Sequence, residues 1–470
     1  MQSAVETLSP TRVRLTVEVP FAELKPELDS AYKKIGAQVK VQGFRPGKVP
    51  PRILDQRVGR GAVLEEAVQE AVPRLYGEAV EQNGLAPVAH PKVEVTRLDD
   101  GTELAFTAEV DVRPDVTLPA YEELQVEVDP VEVSDADVDG QLQELREQFA
   151  RVQPVDRPAA DGDVVTLDLV ARVDGEEVPG GSASGLTHRV GSGELLEGLD
   201  EAVRGAAAGE SRTFSTDLVG GELAGRTADV EVTVRAVNER ELPELDDTWA
   251  TDTAGFASLD ELRADVRGRV ERGKRLQQGI AARDKVLETL LDRVDVPLPE
   301  SVVETEVEWR RRTTQEQLDR GGLTMEGYLA SEDKTAEDFE RELVDGARSA
   351  VKAQLVLDAV ADREEIGVDD SELTDQVVRR AQRLGVTPDE YARQVVQGGQ
   401  LPLLVQEVRR GKALATVMEA ATISDTNGER VDLEQLRDEG GEPDVQVDEE
   451  GRRYHVHGDG QVHYLDEEPG

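Results

Sequence analysis

Gly43-Phe44-Arg45-Pro46-Gly47-Lys48-Val49-Pro50-Pro51 reads as a tight chain reversal set inside a run of positive charge. Between Lys25 and Arg60, nine basic side chains (Lys25, Lys33, Lys34, Lys40, Arg45, Lys48, Arg52, Arg57, Arg60) meet only three acidic ones. The difference, nine less three, is a local balance of plus six in a chain of formal net charge −45. A cationic island in so acidic a molecule implies a polyanionic partner at that one place.

The flanks say how the island is displayed. From Phe21 to Lys40 the apolar residues Leu24, Leu28, Tyr32, Ile35 and Val39 recur three or four apart, which is one helical face. Gly43 and Gly47 supply backbone freedom for the reversal and Pro46 stiffens it. Pro50 and Pro51 suit the first turn of a second helix through Ile53, Leu54 and Val58. The expectation is a helix–loop–helix with Phe44, Arg45 and Lys48 at its tip. Arg45 can fork onto phosphate or carboxylate, Lys48 adds a point charge, and an exposed Phe44 is an apolar anchor. The plainer alternative is a turn whose charges are merely solvated.

Gly43-Phe44-Arg45-x-Gly47-Lys48 resembles the ribosome-docking signature of bacterial trigger factor, a chaperone family of the nascent-chain exit. The similarity runs through the N-terminal segment and the middle of the chain, and more loosely to about Ile423. It implies an α+β multidomain fold with an N-terminal α+β ribosome-binding domain. An FKBP-like antiparallel β domain with one short helix follows, then an extended all-α C-terminal chaperone domain with arms.

The remaining patterns are laid against that order. Residues 1–113 read as α+β, with a half-buried strand at Val13, Leu15, Val17 and Val19, a helix over 61–82 stopped by Asn83-Gly84, and strands near 92–96 and 103–110. Residues 114–157 read as an extended linker: an acidic–valine stretch, then a helix opened by Ser134, needing no core of its own. Residues 158–243 turn β-rich, with Val164–Val170 a strand, Asp174-Gly175 a hairpin turn, a glycine-rich loop reaching Gly191-Ser192-Gly193, a short helix near 197–204 and a closing strand over 228–237. Residues 244–424 read as helices, opened in two places by Ser258-x-x-Glu261 and Thr387-Pro388-Asp389-Glu390. Phe339, Leu343, Ala347, Val351, Leu355 and Val360 form one helical stripe, an ordinary core face. Trp309-Arg310-Arg311-Arg312 reads as a solvated helix face in preference to a second anion site. Residues 425–470 hold fifteen acidic side chains against four basic ones, a disordered composition.

Asp174-Gly175-Glu176-Glu177, Gly180-Gly181, Gly191-x-Gly193 and Leu196…Gly198-Leu199 fall where the family has its FKBP-like isomerase segments. The resemblance implies a peptidyl-prolyl cis–trans isomerase whose cleft positions are Leu169, Val178, Leu196, Leu199 and Val230. Aliphatic side chains stand where that cleft has aromatic walls, the tyrosine before the last strand has no counterpart, and Pro179 replaces an expected carboxylate. Loss of aromatic area and shape implies weakened turnover.

Composition closes off several classes. The chain has no cysteine, which removes disulfides, thiolate catalysis and thiolate metal sites. No metal and no cofactor are expected, and no Gly-x-x-x-x-Gly-Lys-Ser/Thr motif occurs, so no nucleotide-driven cycle is expected. No apolar run reaches a membrane span and the N-terminal residues lack a signal peptide's pattern, so a cytoplasmic, partly ribosome-associated protein with no membrane partner is expected. With 33% charged and 3% aromatic residues, wettable surface dominates. The resemblance implies an ATP-independent chaperone that shields nascent unfolded polypeptides and assists folding and export. Its partner is the ribosome exit region, ribosomal protein and rRNA. The rivals are a stand-alone prolyl isomerase and an RNA-binding protein that uses the basic loop.

Overall fold

The computed structural model describes residues 1–39, 44, 49–218, 223, 225–431, 445–447, 453–456 and 462–464. The described residues fall into two compact units. One comprises Met1–Pro119, Leu290–Arg312 and Glu340–Leu414; the other comprises Ala120–Thr289, Thr313–Phe339 and Ala415–Gly470.

In the first unit, β1 (Gln2–Ser9) and β2 (Arg12–Pro20) lead to α1 (Lys25–Gln38), α2 (Pro51–Val58) and α3 (Arg60–Gln82), and the chain returns through β3 (Lys92–Asp99) and β4 (Glu103–Asp111). The antiparallel sheet has the order β1-β2-β4-β3. Val13, Leu15, Val17 and Val19 alternate into the interior as the period-two pattern requires. Leu15, Val17 and Val19 pack with Leu24 and Leu28 before and on α1, with Val63, Ala67, Ala71 and Leu75 of α3, and with Phe106 of β4. Gly36 admits α2 closely: a Cβ there would lie 3.2 Å from the Leu54 Cδ1 atom.

The second unit begins with β5 (Gln125–Val128), α4 (Asp135–Gln148) and β6 (Arg151–Pro154). Ser134 and Asp137 form a reciprocal cap on α4. The stretch expected to need no core of its own packs on helical residues from further along the chain. Val138 and Leu142, four apart on α4, are buried with Trp249, Leu262 and Val266, because an amphipathic stripe left in water forfeits its apolar burial. β6 also pairs with the last strand of the middle domain.

That middle domain runs β7 (Val164–Val173), β8 (Glu176–Arg189), α5 (Leu199–Val203), β9 (Ser211–Asp217) and β10 (Thr227–Glu241). Its sheet has the order β6-β10-β7-β8 with β9 beside β10. Asp174 and Gly175 take φ of 54° and 87°, as a tight Asp-Gly hairpin turn requires. The glycine-rich stretch expected as a loop is strand: Gly180 and Gly181 lie within β8, where the register against β7 shifts. A Cβ on Gly181 would sit 2.8 Å from the Val178 Cβ and 3.2 Å from the Ala171 Cβ, so glycine keeps the irregular strand close to its neighbour.

The rest of the chain is helical to residue 420: α6 (Asp247–Trp249), α7 (Leu259–Asp292), α8 (Glu300–Gly321), α9 (Met325–Ser331), α10 (Ala336–Arg363), α11 (Asp370–Leu384), α12 (Pro388–Gln397) and α13 (Leu401–Ala420). Ser258 and Thr387 accept the Glu261 and Glu390 amides as the capping patterns expect, each at 3.3 Å. The stripe from Phe339 to Val360 is buried at all six positions. β11 (Thr422–Asp425) then lies parallel to β5. Within residues 425–470, most of which lie outside the described residues, three short strands are described. β12 (Val445–Val447), β13 (Arg453–Val456) and β14 (Val462–Tyr464) form an antiparallel sheet, since these short runs concentrate the β-branched and aromatic residues that favour strands.

Candidate functional site

Of the tip residues, only Phe44 lies among the described ones, and it is exposed at 42%. Gly43, Arg45, Gly47 and Lys48 lie outside the described residues. The base of the hairpin is well ordered by polar contacts. The Tyr32 hydroxyl donates to Asp55 Oδ1 at 2.7 Å and accepts from Arg60 Nη1 at 2.5 Å, while Arg60 forks onto Asp100 at 2.9 and 2.8 Å. The Arg60 guanidinium also sits 5.8 Å from the Tyr32 ring centre. Burial, then the Asp55 contact, raises the Tyr32 hydroxyl above its ordinary pKa, so it remains a donor. These contacts join α1, α2, α3 and the turn between β3 and β4.

The same geometry sorts the basic island. Arg60 is tied to Asp100, and Lys34 is paired with Glu66. Lys25, Lys33, Arg52 and Arg57 are exposed and have no ion-pair partner among the described residues. Lys25 and Lys33 lie on α1 and Arg52 and Arg57 on α2, the helices before and after Phe44 in the chain.

The middle domain brings all five cleft positions into one apolar cluster. Leu169, Leu199 and Val230 are interior, at 7%, 0% and 1% exposure, whereas Val178 and Leu196 are half-buried and reach its surface. Sequence reasoning missed Phe214. It is half-buried on β9, paired across the sheet with Val230, which in turn faces Ala171 on β7. It had a signal: Phe214 is the only Phe, Tyr or Trp between Phe149 and Trp249. Gly198 makes room for it, since a Cβ there would stand 3.1 Å from the Phe214 Cδ2 atom. Beside this surface the Asp200 carboxylate accepts from His188 Nε2 at 2.7 Å and from the Gly191 and Gly193 amides at 2.6 and 2.9 Å.

A second apolar feature belongs to the first unit. A cavity of about 1100 Å³ is lined by Pro87, Val88, Val302, Trp309, Val351 and Leu403 among others. Trp309 is 51% exposed and Leu403 71%, unusually wet for such large side chains. The neighbouring arginines behave as a helix face. Arg310 bonds Glu306 at 2.8 Å and Arg311 bonds Glu340 at 3.1 and 2.6 Å. The indole gave no periodic signal, because the rest of the cavity comes from distant segments.

An antiparallel FKBP-type sheet, an N-terminal α+β domain carrying a basic helical hairpin, and a long helical region with wet apolar surface together define a multidomain folding factor. Comparison with known proteins supplies the family. Residues 1–145 match the family described as bacterial trigger factor protein, residues 155–218 match FKBP-type peptidyl-prolyl cis-trans isomerase, and residues 258–419 match the trigger factor C-terminus. The trigger factor of Nocardioides sp. is 53% identical over 450 residues, covering 95% of this chain and 96% of that one. That of Salinispora arenicola is 55% identical over 439 residues, covering 93% and 98%. A solved trigger factor chaperone, described for promiscuous substrate recognition in folding and assembly, superposes with a TM-score of 0.51 at 21% identity, covering 88% of this chain and 99% of that one. This chain belongs to the trigger factor family of chaperones and carries that family's FKBP-type domain. Among the described residues, no helix is long and apolar enough to cross a membrane.

Proposed function

We propose that the chain docks at the ribosome exit region, on rRNA and ribosomal protein, through Phe44, Arg45 and Lys48, with Gly43 and Gly47 shaping the loop that holds them. The observation that carries this reading is an exposed Phe44 between helices whose exposed cations Lys25, Lys33, Arg52 and Arg57 have no ion-pair partner among the described residues. A phenylalanine left partly in water is costly for the free protein, and an apolar pocket rimmed by phosphates relieves that cost while meeting exposed cations. Emerging polypeptides then meet the wet apolar walls around Trp309 and Leu403. Contacts of this kind are weak and unspecific, so release needs only folding of the client and no nucleotide.

The FKBP-type domain acts on X-Pro bonds of the same clients. Rotation faces a barrier of about 18–20 kcal/mol from amide resonance. A dry apolar surface that fits the twisted amide better than the planar one lowers it without nucleophile or metal. Val178, Leu196 and Phe214 form the part that reaches solvent, over a floor of Leu169, Leu199 and Val230. With one aromatic wall, the reading is a slow isomerase that serves chains already held nearby.

Ribosome co-sedimentation tests the docking. Phe44→Ala with Arg45→Ala should abolish it while the circular dichroism spectrum stays unchanged, and wild-type binding should weaken as salt rises. Undiminished co-sedimentation of the double variant would overturn the site.

A further inference from the structure

We propose that His188 and Asp200 are positioning residues for the proline site, fixing the 191–198 loop so that Leu196 is held at the surface shared with Phe214. The inference rests on the isomerase reading and names residues that reading does not use.

The loop has little else to hold its shape. Gly191, Gly193 and Gly198 take φ of 88°, 68° and 87°, so eight residues include three left-handed turns of the backbone. Backbone bonds close only its ends, from Ser192 to Arg189 and from Leu199 to Leu196. Between those ends stands one carboxylate. Asp200 Oδ1 takes the His188 Nε2 and Gly191 contacts, and Oδ2 takes Gly193 at 2.9 Å.

A carboxylate only accepts, so Nε2 of His188 carries the proton and the histidine donates. His188 is 3% exposed on β8, opposite Val165, and its ring is therefore aimed by the sheet. Burial alone would raise the Asp200 carboxyl; the Gly191, His188 and Gly193 bonds outweigh it and hold it below the usual range. The anchor is thus charged wherever the protein is folded and working. A half-buried charge is a poor device for stability, because apolar residues of the same volume often do as well. What it supplies is direction, and direction is what this glycine-rich loop lacks.

The consequence falls on the apolar surface. Asp200 follows Leu199, the floor, and Gly198 touches Phe214, the wall. A loop that swings away takes Leu196 with it and opens the contact at Gly198. The floor under Leu199 stays packed, so shape is lost before stability.

The test uses the full chain and a short Leu-Pro-Phe peptide whose isomerisation is followed directly. Asp200→Asn preserves size but turns an amide NH₂ toward one of the donors; kcat/KM is expected to fall about tenfold or more, as for a misplaced wall in any shape-dependent site. His188→Gln keeps a donor and should stay within about threefold of wild type, whereas His188→Leu should fall with Asp200→Asn. The Gly191 and Gly193 amide resonances, read in glycine-labelled protein, should lose their carboxylate-induced downfield shift in Asp200→Asn. An active wild type with unchanged Asp200→Asn turnover overturns the inference alone, as does a His188→Gln as impaired as His188→Leu. Glycine amides that do not move overturn it independently of turnover. A wild type without turnover, with glycine amides that respond, overturns the isomerase reading and the positioning role with it.

Discussion

Asp111 joins two walls of the Trp309 cavity, and replacing it by alanine tests how that cavity is held. Its backbone carbonyl accepts from the Val88 amide at 2.9 Å, on one wall. Its side chain, 2% exposed, accepts from Arg12 Nε at 2.7 Å and from the Ser301 amide at 3.2 Å, and also from the Ser301 hydroxyl, at the head of α8. Removing the carboxylate deprives α8 of a cap, a loss of about 1 kcal/mol. The buried charge-assisted bond to the serine hydroxyl adds about 1.5 kcal/mol. Arg12 is nearly half exposed and regains water, so its share is held to about 0.5 kcal/mol. The sum of about 3 kcal/mol corresponds to amide exchange at Ser301–Val303 roughly 150-fold faster in Asp111→Ala, if those amides exchange by local opening. Val88 provides an internal control, because its partner is the retained backbone carbonyl, and its exchange should stay near wild type. Hydrogen exchange resolved to these residues decides the matter. Exchange at Ser301–Val303 within threefold of wild type, or equal loosening at Val88, would refute the reasoning. The pH dependence has a definite sign. Burial alone would raise the Asp111 carboxyl, but the Arg12 and Ser301 bonds outweigh it and hold it below its usual value. A depressed folded value means the contribution is full above the unfolded aspartate value of about 3.9 and is lost as pH falls through the folded one. Wild type should therefore loosen at α8 only in acid, and the variant should show no such step.

Phe214→Ala removes the aromatic wall of the proposed proline surface, and kcat/KM for a prolyl peptide should drop about tenfold, with residual turnover from Val178 and Leu196; wild-type turnover in this variant would exclude Phe214 from the site. Asp137 is pulled down to about 2 by Lys274 first and then by Ser134, whose hydroxyl and amide both donate to it. An NMR titration should therefore show its carboxyl charged through pH 4, with the α4 cap lost only as pH falls toward 2, and a midpoint near that of a free aspartate would remove the bridge.

Local pattern made the frame of this molecule readable. The alternation of Val13, Leu15, Val17 and Val19 and the stripe from Phe339 to Val360 each state a period that only one element satisfies, and all those residues are buried. β1 and β9 escaped because their residues face mostly outward and show no apolar alternation; their strand character comes from pairing with β2 and β10. At the proline surface, resemblance picked five positions that do cluster, but it could not tell floor from wall, since burial of Leu169 and Val230 depends on strands on either side of them. The Trp309 cavity was illegible for a stronger reason. Its lining comes from residues near 88, 309, 351 and 403, and no window of sequence contains such a set.

Charge arrangement is what lets the proposed docking rest on so short a segment of so acidic a chain. A net charge of −45 opposes any approach to a polyanion, yet at physiological ionic strength charges are screened beyond about 8 Å, so distant carboxylates act weakly on a contact made at the tip. What counts is the charge near the tip. At about 1.5 Å per helical residue Lys25, at the start of α1, stands roughly 20 Å from the helix end that leads to Phe44. Lys33 and Arg52 lie nearer the loop-side ends of α1 and α2, and Lys34 and Arg60 are paired internally. In the proposed docking, the Tyr32–Asp55–Arg60–Asp100 contacts use one cation to stiffen the base of the hairpin. Under the same proposal, the excess of carboxylates elsewhere in the chain disfavours attachment to RNA by other faces.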